Sequence, residues 1–269
     1  MLNDITIGQF FPGNSLIHRM DSRFKIVLDI IYVVMLFVAQ NFYGLGLACI
    51  FMIMVYAVSE INFSLILKSI KPVLPIILFT SILNLIFVKE ETDPLVQFWI
   101  ITIYPKGVFT SVFMVVRITF LIIGMSLLTY TTSPIVLTDA IESLMSPLKK
   151  IRFPVHELAM MMTIALRFIP TLIEETNKIM MAQKARGASL DTGGIIKRAK
   201  AMIPILIPLF ISAFKRANEL ATAMECRCYR GGEGRTKLRQ LKAGKIDFLA
   251  TGLTLCVFGM IIINNIVFV

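Results

Sequence analysis

Five apolar stretches set the pattern of this chain, at residues 26–39, 44–58, 73–88, 108–130 and 248–269. With flanking residues allowed, each approaches or reaches the roughly 17–25 residues that a bilayer-spanning helix requires. The pattern predicts five transmembrane helices. The first two are short and separated only by Gln40, Asn41, Phe42 and Tyr43, which suits a tight helical hairpin with aromatic residues at the interface. Residues 1–12 lack a basic n-region and a small-residue cleavage site, so they are expected to persist as an amphipathic lead-in.

Residues 131–246 follow a different pattern. Leu137, Ile141, Leu144 and Leu148 recur on one helical face, with Ser133 and Pro134 as N-cap and first-turn residues and Pro147 limiting the helix. The insert therefore predicts three helices, at about 133–148, 156–186 and 195–230. The second could run about 45 Å at 1.5 Å per residue, kinked at Pro170, and the third should bend at Pro204 and Pro208. The Gly193-Gly194 connection between them is a further place for bending. Two apolar patches, 158–173 and 201–214, read as interfacial or buried helices, because the first contains Arg167 before Glu174 and Glu175, and the second is confined between Lys200 and Lys215. The alternative is two further spans. Being paired, they would leave the orientation of the termini unchanged.

Both long insert helices end alike. The second closes on Ala185-Arg186-Gly187 and the third on Cys226-Arg227-Cys228, each an arginine between small residues, shortly before a glycine that can take the left-handed cap conformation. Cations favour helix C-termini, which accounts for either arginine taken singly. The repetition adds a second reading: small flanks allow close packing around a guanidinium that reaches a partner's carboxylates or carbonyls.

Composition narrows the classes. At 57 % hydrophobic and 16 % charged over 269 residues, with mean hydropathy +0.79, the chain departs from a globular mix and excludes a soluble enzyme, a disordered tail or a disulfide scaffold. Of its 27 Lys and Arg, five flank the first two spans (Arg19, Arg23, Lys25, Lys68, Lys71) and nineteen lie in 131–246, against nine acidic residues there. Lys89 and Lys106 stand alone on the opposite side. This bias puts the N-terminus and the insert in the cytoplasm and the C-terminus outside. Cys226 and Cys228 then face a reducing compartment, so a disulfide is not expected.

Rival chemistries find little support. Cys226 and Cys228 are spaced too tightly for a zinc pair, and His18 and His156 lack any ligand motif, so no metal site is predicted. HExxH, GxSxG, Walker A and Rossmann signatures are missing, which leaves ATP hydrolysis to another chain. Arg117 falls inside the fourth span and could mark a substrate path or pair within the bundle, with Asp29 as the nearest candidate acid. The basic residues of the insert are spread along apolar helices rather than clustered with stacking aromatics, which favours a lipid-facing role over nucleic acid.

Four segments carry a resemblance to a known family: His18-Arg19-Met20-Asp21-Ser22-Arg23-Phe24-Lys25; Leu166-Arg167-Phe168-Ile169-Pro170-Thr171-Leu172 with Glu174 and Glu175; Ala182-Gln183-Lys184-Ala185-Arg186-Gly187; and Met224-Glu225-Cys226-Arg227-Cys228-Tyr229-Arg230-Gly231-Gly232. Over nearly its whole length the chain resembles the transmembrane T component of energy-coupling factor (ECF) transporters, the membrane scaffold of an ABC-type importer of vitamins and metals. Cys226 stands where alanine is usual, a small-for-small change. The resemblance implies an all-α integral membrane protein, L-shaped, with about five transmembrane helices and a cytoplasmic-side coupling domain of three amphipathic helices. Residues 1–130 and 247–269 then form the membrane part and 131–246 the coupling domain. It also implies that Arg186 and Arg227, flanked by Ala185, Gly187, Cys226 and Cys228, anchor two ABC-type ATPase subunits. The apolar helix faces would hold a substrate-binding S component, and the candidates are Leu137, Ile141, Leu144, Met160, Met161, Ile164, Phe168, Ile203, Ile207 and Phe210. No cofactor is expected on this chain, since ATP and magnesium belong to the partner ATPases. The rival reading is a self-contained secondary transporter or membrane enzyme.

Overall fold

The computed structural model describes residues 10–88, 96–98, 101–188, 194–231 and 241–268. Gly193, Gly232, Val269 and the acidic stretch from Lys89 to Asp93 lie outside these. Helices α1 (Leu16–Arg19), α2 (Ser22–Val38), α3 (Phe42–Ser59), α4 (Phe63–Ile70) and α5 (Leu74–Phe87) are followed by a short hairpin that the hydropathy pattern did not suggest. Its strands β1 (Val96–Phe98) and β2 (Ile101–Ile103) pair antiparallel, with Val96 opposite Ile103. Then come α6 (Pro105–Thr131), α7 (Pro134–Leu144), a 3-10 turn (Ser146–Ile151), α8 (Val155–Ala185), α9 (Ile195–Cys226) and α10 (Lys245–Phe268).

Each boundary has a local cause. Ser15 caps α1 by accepting from the His18 N–H, and Asp21 caps α2 by accepting from the Arg23 N–H at 2.9 Å. Pro105 opens α6, where its missing N–H costs nothing. The first insert helix stops at Leu144, short of the expected 148, because Pro147 disfavours α-helical geometry at the residue before it and the chain tightens into the 3-10 turn. As expected for the two long insert helices, Pro170 lies inside α8, and Pro204 and Pro208 inside α9.

Five helices are long and apolar enough to cross a membrane by length and composition: α3, α6, α8, α9 from Ala199, and α10 up to Val267. The pair α4 and α5, bent by 60°, raises this to six if it forms one span. Helix α2 carries the first apolar stretch on 17 residues. Helices α8 and α9 differ from the other long helices in the charges they carry along their length, among them Arg167, Glu174 and Glu175 on α8. The fold is that of an all-α, multi-pass membrane protein.

The described residues fall into two compact units. One comprises those between 10 and 140 together with 241–268, and the other those between 141 and 231. In the first, α2, α3, α6 and α10 surround a core of Met35, Leu36, Leu45, Ala48, Met52 and Ile261. Gly124 on α6 has a packing reason: a Cβ there would lie 2.8 Å from the Tyr32 ring, so glycine lets α6 approach α2 across it.

Polar side chains hold the helix ends of this unit. The carbonyls that close α2 are taken by neighbours, Val38 O by the Asn265 amide at 2.5 Å and Ala39 O by the Arg117 guanidinium at 2.6 Å. The Lys25 ammonium donates to Thr131 O at the end of α6 (3.0 Å), to Thr132 Oγ1 (3.3 Å) and to His18 O (3.5 Å). Asp247 of α10, 2 % exposed, accepts from the Asp21 N–H at 3.0 Å and the Gly244 N–H at 2.7 Å. Arg23 bridges Asp21 Oδ2 (2.7 Å) and Leu241 O (3.1 Å).

In the second unit α8 and α9 pair antiparallel. Ser212 Oγ donates to Glu175 Oε1 at 2.6 Å, Arg216 to Glu175 Oε2 at 2.8 Å, and the Gln183 amide to Pro204 O at 3.4 Å. As numbering rises along α8 from 175 to 183, the α9 partner falls from 212 to 204. Pro208 lacks the N–H that would normally satisfy Pro204 O, and Gln183 supplies one from the neighbouring helix. His156 Nδ1, 3.0 Å from Glu142 Oε1, joins the start of α8 to the end of α7.

Two outcomes follow for the capped helix ends. Asp247→Leu leaves two backbone N–H groups unsatisfied and should lower stability by about 2–4 kcal/mol, read as a reduced thermal-inactivation midpoint of the purified protein. Burial pushes the Asp21 carboxyl up, but the hydrogen bonds from the Arg23 side chain and backbone outweigh it and hold it below its ordinary value of 3.8. Its stabilising share is therefore full above 3.8 and lost as pH falls through its lower folded value. Asp21→Asn keeps the cap and loses that share, so parent and variant midpoints should differ at neutral pH and converge in acid.

Candidate functional site

The two insert arginines occupy equivalent geometry. Arg186 is the C-cap of α8, Gly187 follows at φ +87°, and the Ala188 N–H reaches back to Gln183 O at 3.0 Å while Gly187 N–H meets Lys184 O at 3.0 Å. Arg227 is the C-cap of α9, with Tyr229 N–H on Met224 O at 3.0 Å and Cys228 N–H on Glu225 O at 2.8 Å. Both ends are Schellman motifs, which satisfy the last helix carbonyls with the following N–H groups. One expectation needs correction. The left-handed position of the second copy is held by Cys228, at φ +55°, directly after the arginine, rather than by a glycine further on. Left-handed backbone costs a side-chain-bearing residue roughly 1–2 kcal/mol, so this end carries strain that the Gly187 end does not.

Ala185, Arg186, Gly187, Cys226, Arg227 and Cys228 are all exposed. Among the described residues neither guanidinium has a hydrogen-bond or ion-pair partner, and Cys226 and Cys228 are free thiols. Because α8 and α9 run antiparallel, the arginines sit toward opposite ends of the pair. Arg186 lies opposite about residue 201, some 26 residues before Arg227, which sets them up to about 40 Å apart at 1.5 Å per residue.

The apolar candidates divide by exposure. Leu144, Met161, Ile203, Ile207 and Phe210 are exposed, Phe210 at 65 %, whereas Leu137, Ile141, Met160, Ile164 and Phe168 are half-buried. Leu137 belongs to the first unit and the other nine to the second. The strongest feature is on α9, where Ile203, Ile207, Phe210 and Phe214 recur at three- and four-residue spacing, with Phe210 and Phe214 in edge contact at 4.9 Å. Leu206, Ile211 and Phe214 extend this exposed stripe and were missed from the sequence, although the same spacing includes them. Such a patch exceeds the scattered apolar exposure normal for a protein surface.

Arg117 is accounted for within the bundle. It caps Ala39 O and lies 4.5 Å from the Phe113 ring centroid, so its partners are a helix C-terminus and an aromatic face rather than Asp29.

A family model described as cobalt transport protein, CbiQ, matches residues 13–238. Relatives named energy-coupling factor transporter transmembrane protein EcfT align along almost the full length. The protein of Acidaminococcus fermentans is 54 % identical over 255 residues, 95 % of this chain and 94 % of its own. That of Clostridium kluyveri is 50 % identical over 264 residues, 98 % of this chain and 97 % of its own. That of Ruminiclostridium cellulolyticum is 50 % identical over 269 residues, all of both chains.

The unequal caps give a direct test. Gly187→Val places a β-branched residue at φ +87° and should fray the end of α8, so that trypsin cleaves after Arg186 roughly tenfold faster. Cys228→Gly relieves its strain and should slow cleavage after Arg227 by a similar factor. Unchanged rates in limited proteolysis would contradict the cap assignment.

Proposed function

The chain belongs to the CbiQ family and is a transmembrane component of the EcfT kind, and from this premise we propose that it is the scaffold and coupling subunit of an ECF-type ABC importer. Two ABC-type ATPase subunits dock on the helix ends at Arg186 and Arg227. A substrate-binding membrane S component seats on the apolar stripe of α9 and the exposed methionines of α8. The ATPases hold ATP and magnesium, and this chain is not an enzyme. Its N-terminus and coupling helices face the cytoplasm and its C-terminus the outside, following the distribution of lysine and arginine. The S component selects the cargo, a vitamin or other micronutrient.

The observation that carries this reading is the pair of exposed guanidiniums, without a partner among the described residues, at opposite ends of one antiparallel hairpin. A self-contained transporter has no use for two exposed helix ends of the same arginine-capped design, and its best candidate for a substrate path, Arg117, is engaged by Ala39 O and Phe113. A planar guanidinium on a rigid cap can enter an acidic or carbonyl-lined groove with several fixed hydrogen bonds. When ATP draws two such grooves together, α8 and α9 act as levers, and their relative movement reaches the S component seated along them.

Arg186→Ala and Arg227→Ala should each remove an anchor worth roughly 1.5–3 kcal/mol, so that ATPase recovery on purifying the complex in mild detergent falls by about tenfold or more. Lysine should restore little, since it keeps charge without the fork. Phe210→Glu should release the S component and leave the ATPases bound. Full ATPase recovery with both alanine variants would overturn the anchor assignment.

A further inference from the structure

The acid Asp29 takes no part in the helix-end exchanges of the first unit. Asp29 is the fourth residue of the first apolar stretch, about 5 Å inside it at 1.5 Å per residue. Among the described residues it has no hydrogen-bond or ion-pair partner, and Arg117, its expected counter-ion, is engaged elsewhere. An ionisable group at such a position is expensive and calls for a functional account.

Asp29 lines a cavity of about 310 Å³ inside the first unit, formed by α1, α2, α3, α6 and α10. That volume is at the lower end of ligand pockets. The lining is apolar apart from Asp29, Lys25, Tyr32, Thr131 and Thr254. The Lys25 ammonium offers three donors and already has three acceptors in Thr131 O, Thr132 Oγ1 and His18 O, so it is not free for a guest. The Tyr32 side chain is 98 % buried and its hydroxyl has no partner among the described residues. The cavity thus presents one carboxylate, without a partner among the described residues, within an apolar wall, while the Tyr32 hydroxyl has no surface open to it. Its mouth is marked by the lining residues that are exposed, Leu16 of α1, Met54 and Val58 of α3, and Ile246, Leu249 and Leu253 of α10.

These features select the guest. A bare cation would find one carboxylate where divalent ions take six or more oxygens or three to four mixed ligands. Water alone would leave most of the wall unmatched, since apolar cavities stay dry. The carboxylate requires a cationic donor, the wall requires hydrocarbon, and the mouth opens on helix surfaces bathed by lipid. We propose that this cavity is a binding site for a bilayer phospholipid bearing a primary amine, whose ammonium donates to Asp29 while its upper acyl chain packs between Met54, Val58, Leu249 and Leu253. The ammonium supplies Asp29 with both a countercharge and a hydrogen bond, and the shallow depth of Asp29 keeps it within reach of a headgroup.

The test compares phosphatidylethanolamine with phosphatidylcholine of matched chains, because the second carries the same charge without an N–H donor. Native mass spectrometry of the full-length protein should show phosphatidylethanolamine retained about tenfold better. Asp29→Leu should reduce its retention to the level of phosphatidylcholine. Val58→Trp, at an exposed position of the mouth, should weaken retention of both lipids without disturbing the core. Equal retention of the two lipids by the parent protein, or retention of phosphatidylethanolamine unchanged by both variants, would overturn the proposal.

Discussion

A helix that ends inside a membrane protein cannot leave its last carbonyls and first amides bare, because no water reaches them to take the missing bonds. The first unit answers this constraint by exchanging side chains between helices. The end of α2 is closed by Arg117 from α6 and Asn265 from α10, the end of α6 by Lys25 from α2, and the start of α2 by Asp247 from α10. Three helices are thereby locked in register at both ends by groups that would each be costly if unpaired. Apolar packing fills the space between them, but it is non-directional and does not choose the register. The polar exchanges do.

The second unit solves a different problem with the same backbone chemistry. Its helix ends are satisfied locally, by their own following amides, so that no neighbouring side chain is needed and the arginine at each cap is exposed and without a partner among the described residues. Where the first unit uses cations to close helix ends against one another, the second leaves its two cap arginines without a partner among the described residues. This contrast between arginine as a structural cap and arginine as a presented group distinguishes Arg117 from Arg186 and Arg227 more clearly than any sequence context.

Much of this was legible in the order of residues. Long apolar runs announce helices such as α3, α6 and α10, and the repeated small-arginine-small ends point to a common geometry. What could not be read depends on contacts far apart along the chain. The Asp21 and Asp247 pair spans 226 positions and the Lys25 to Thr131 bond 106, so no local pattern reveals them. His18 through Lys25 was noticed as a motif without its purpose, which is to supply the caps that join α1, α2, α6 and α10. The conformation of Cys228 was hidden for another reason: side-chain type suggests a glycine for left-handed backbone, and only the hydrogen bonds of the cap decide which residue takes it. The α9 stripe was within reach, since Leu206, Ile211 and Phe214 obey the same periodicity as Ile203, Ile207 and Phe210.

The antiparallel pairing of α8 and α9 makes the hairpin a gauge. The separation of its two tips is not a property of either tip but of the helical length between them, fixed at 1.5 Å for each residue and held by the Glu175, Ser212 and Arg216 contact near the middle. A single inserted residue between that contact and a tip would move the tip outward and also swing it by about 100° around the axis. Only changes close to a whole number of turns, such as about seven residues for two turns or eleven for three, would return a guanidinium near its original bearing. The caps can therefore vary in composition, as Cys228 does beside Gly187, while the number of residues separating them from the contact has almost no freedom to drift.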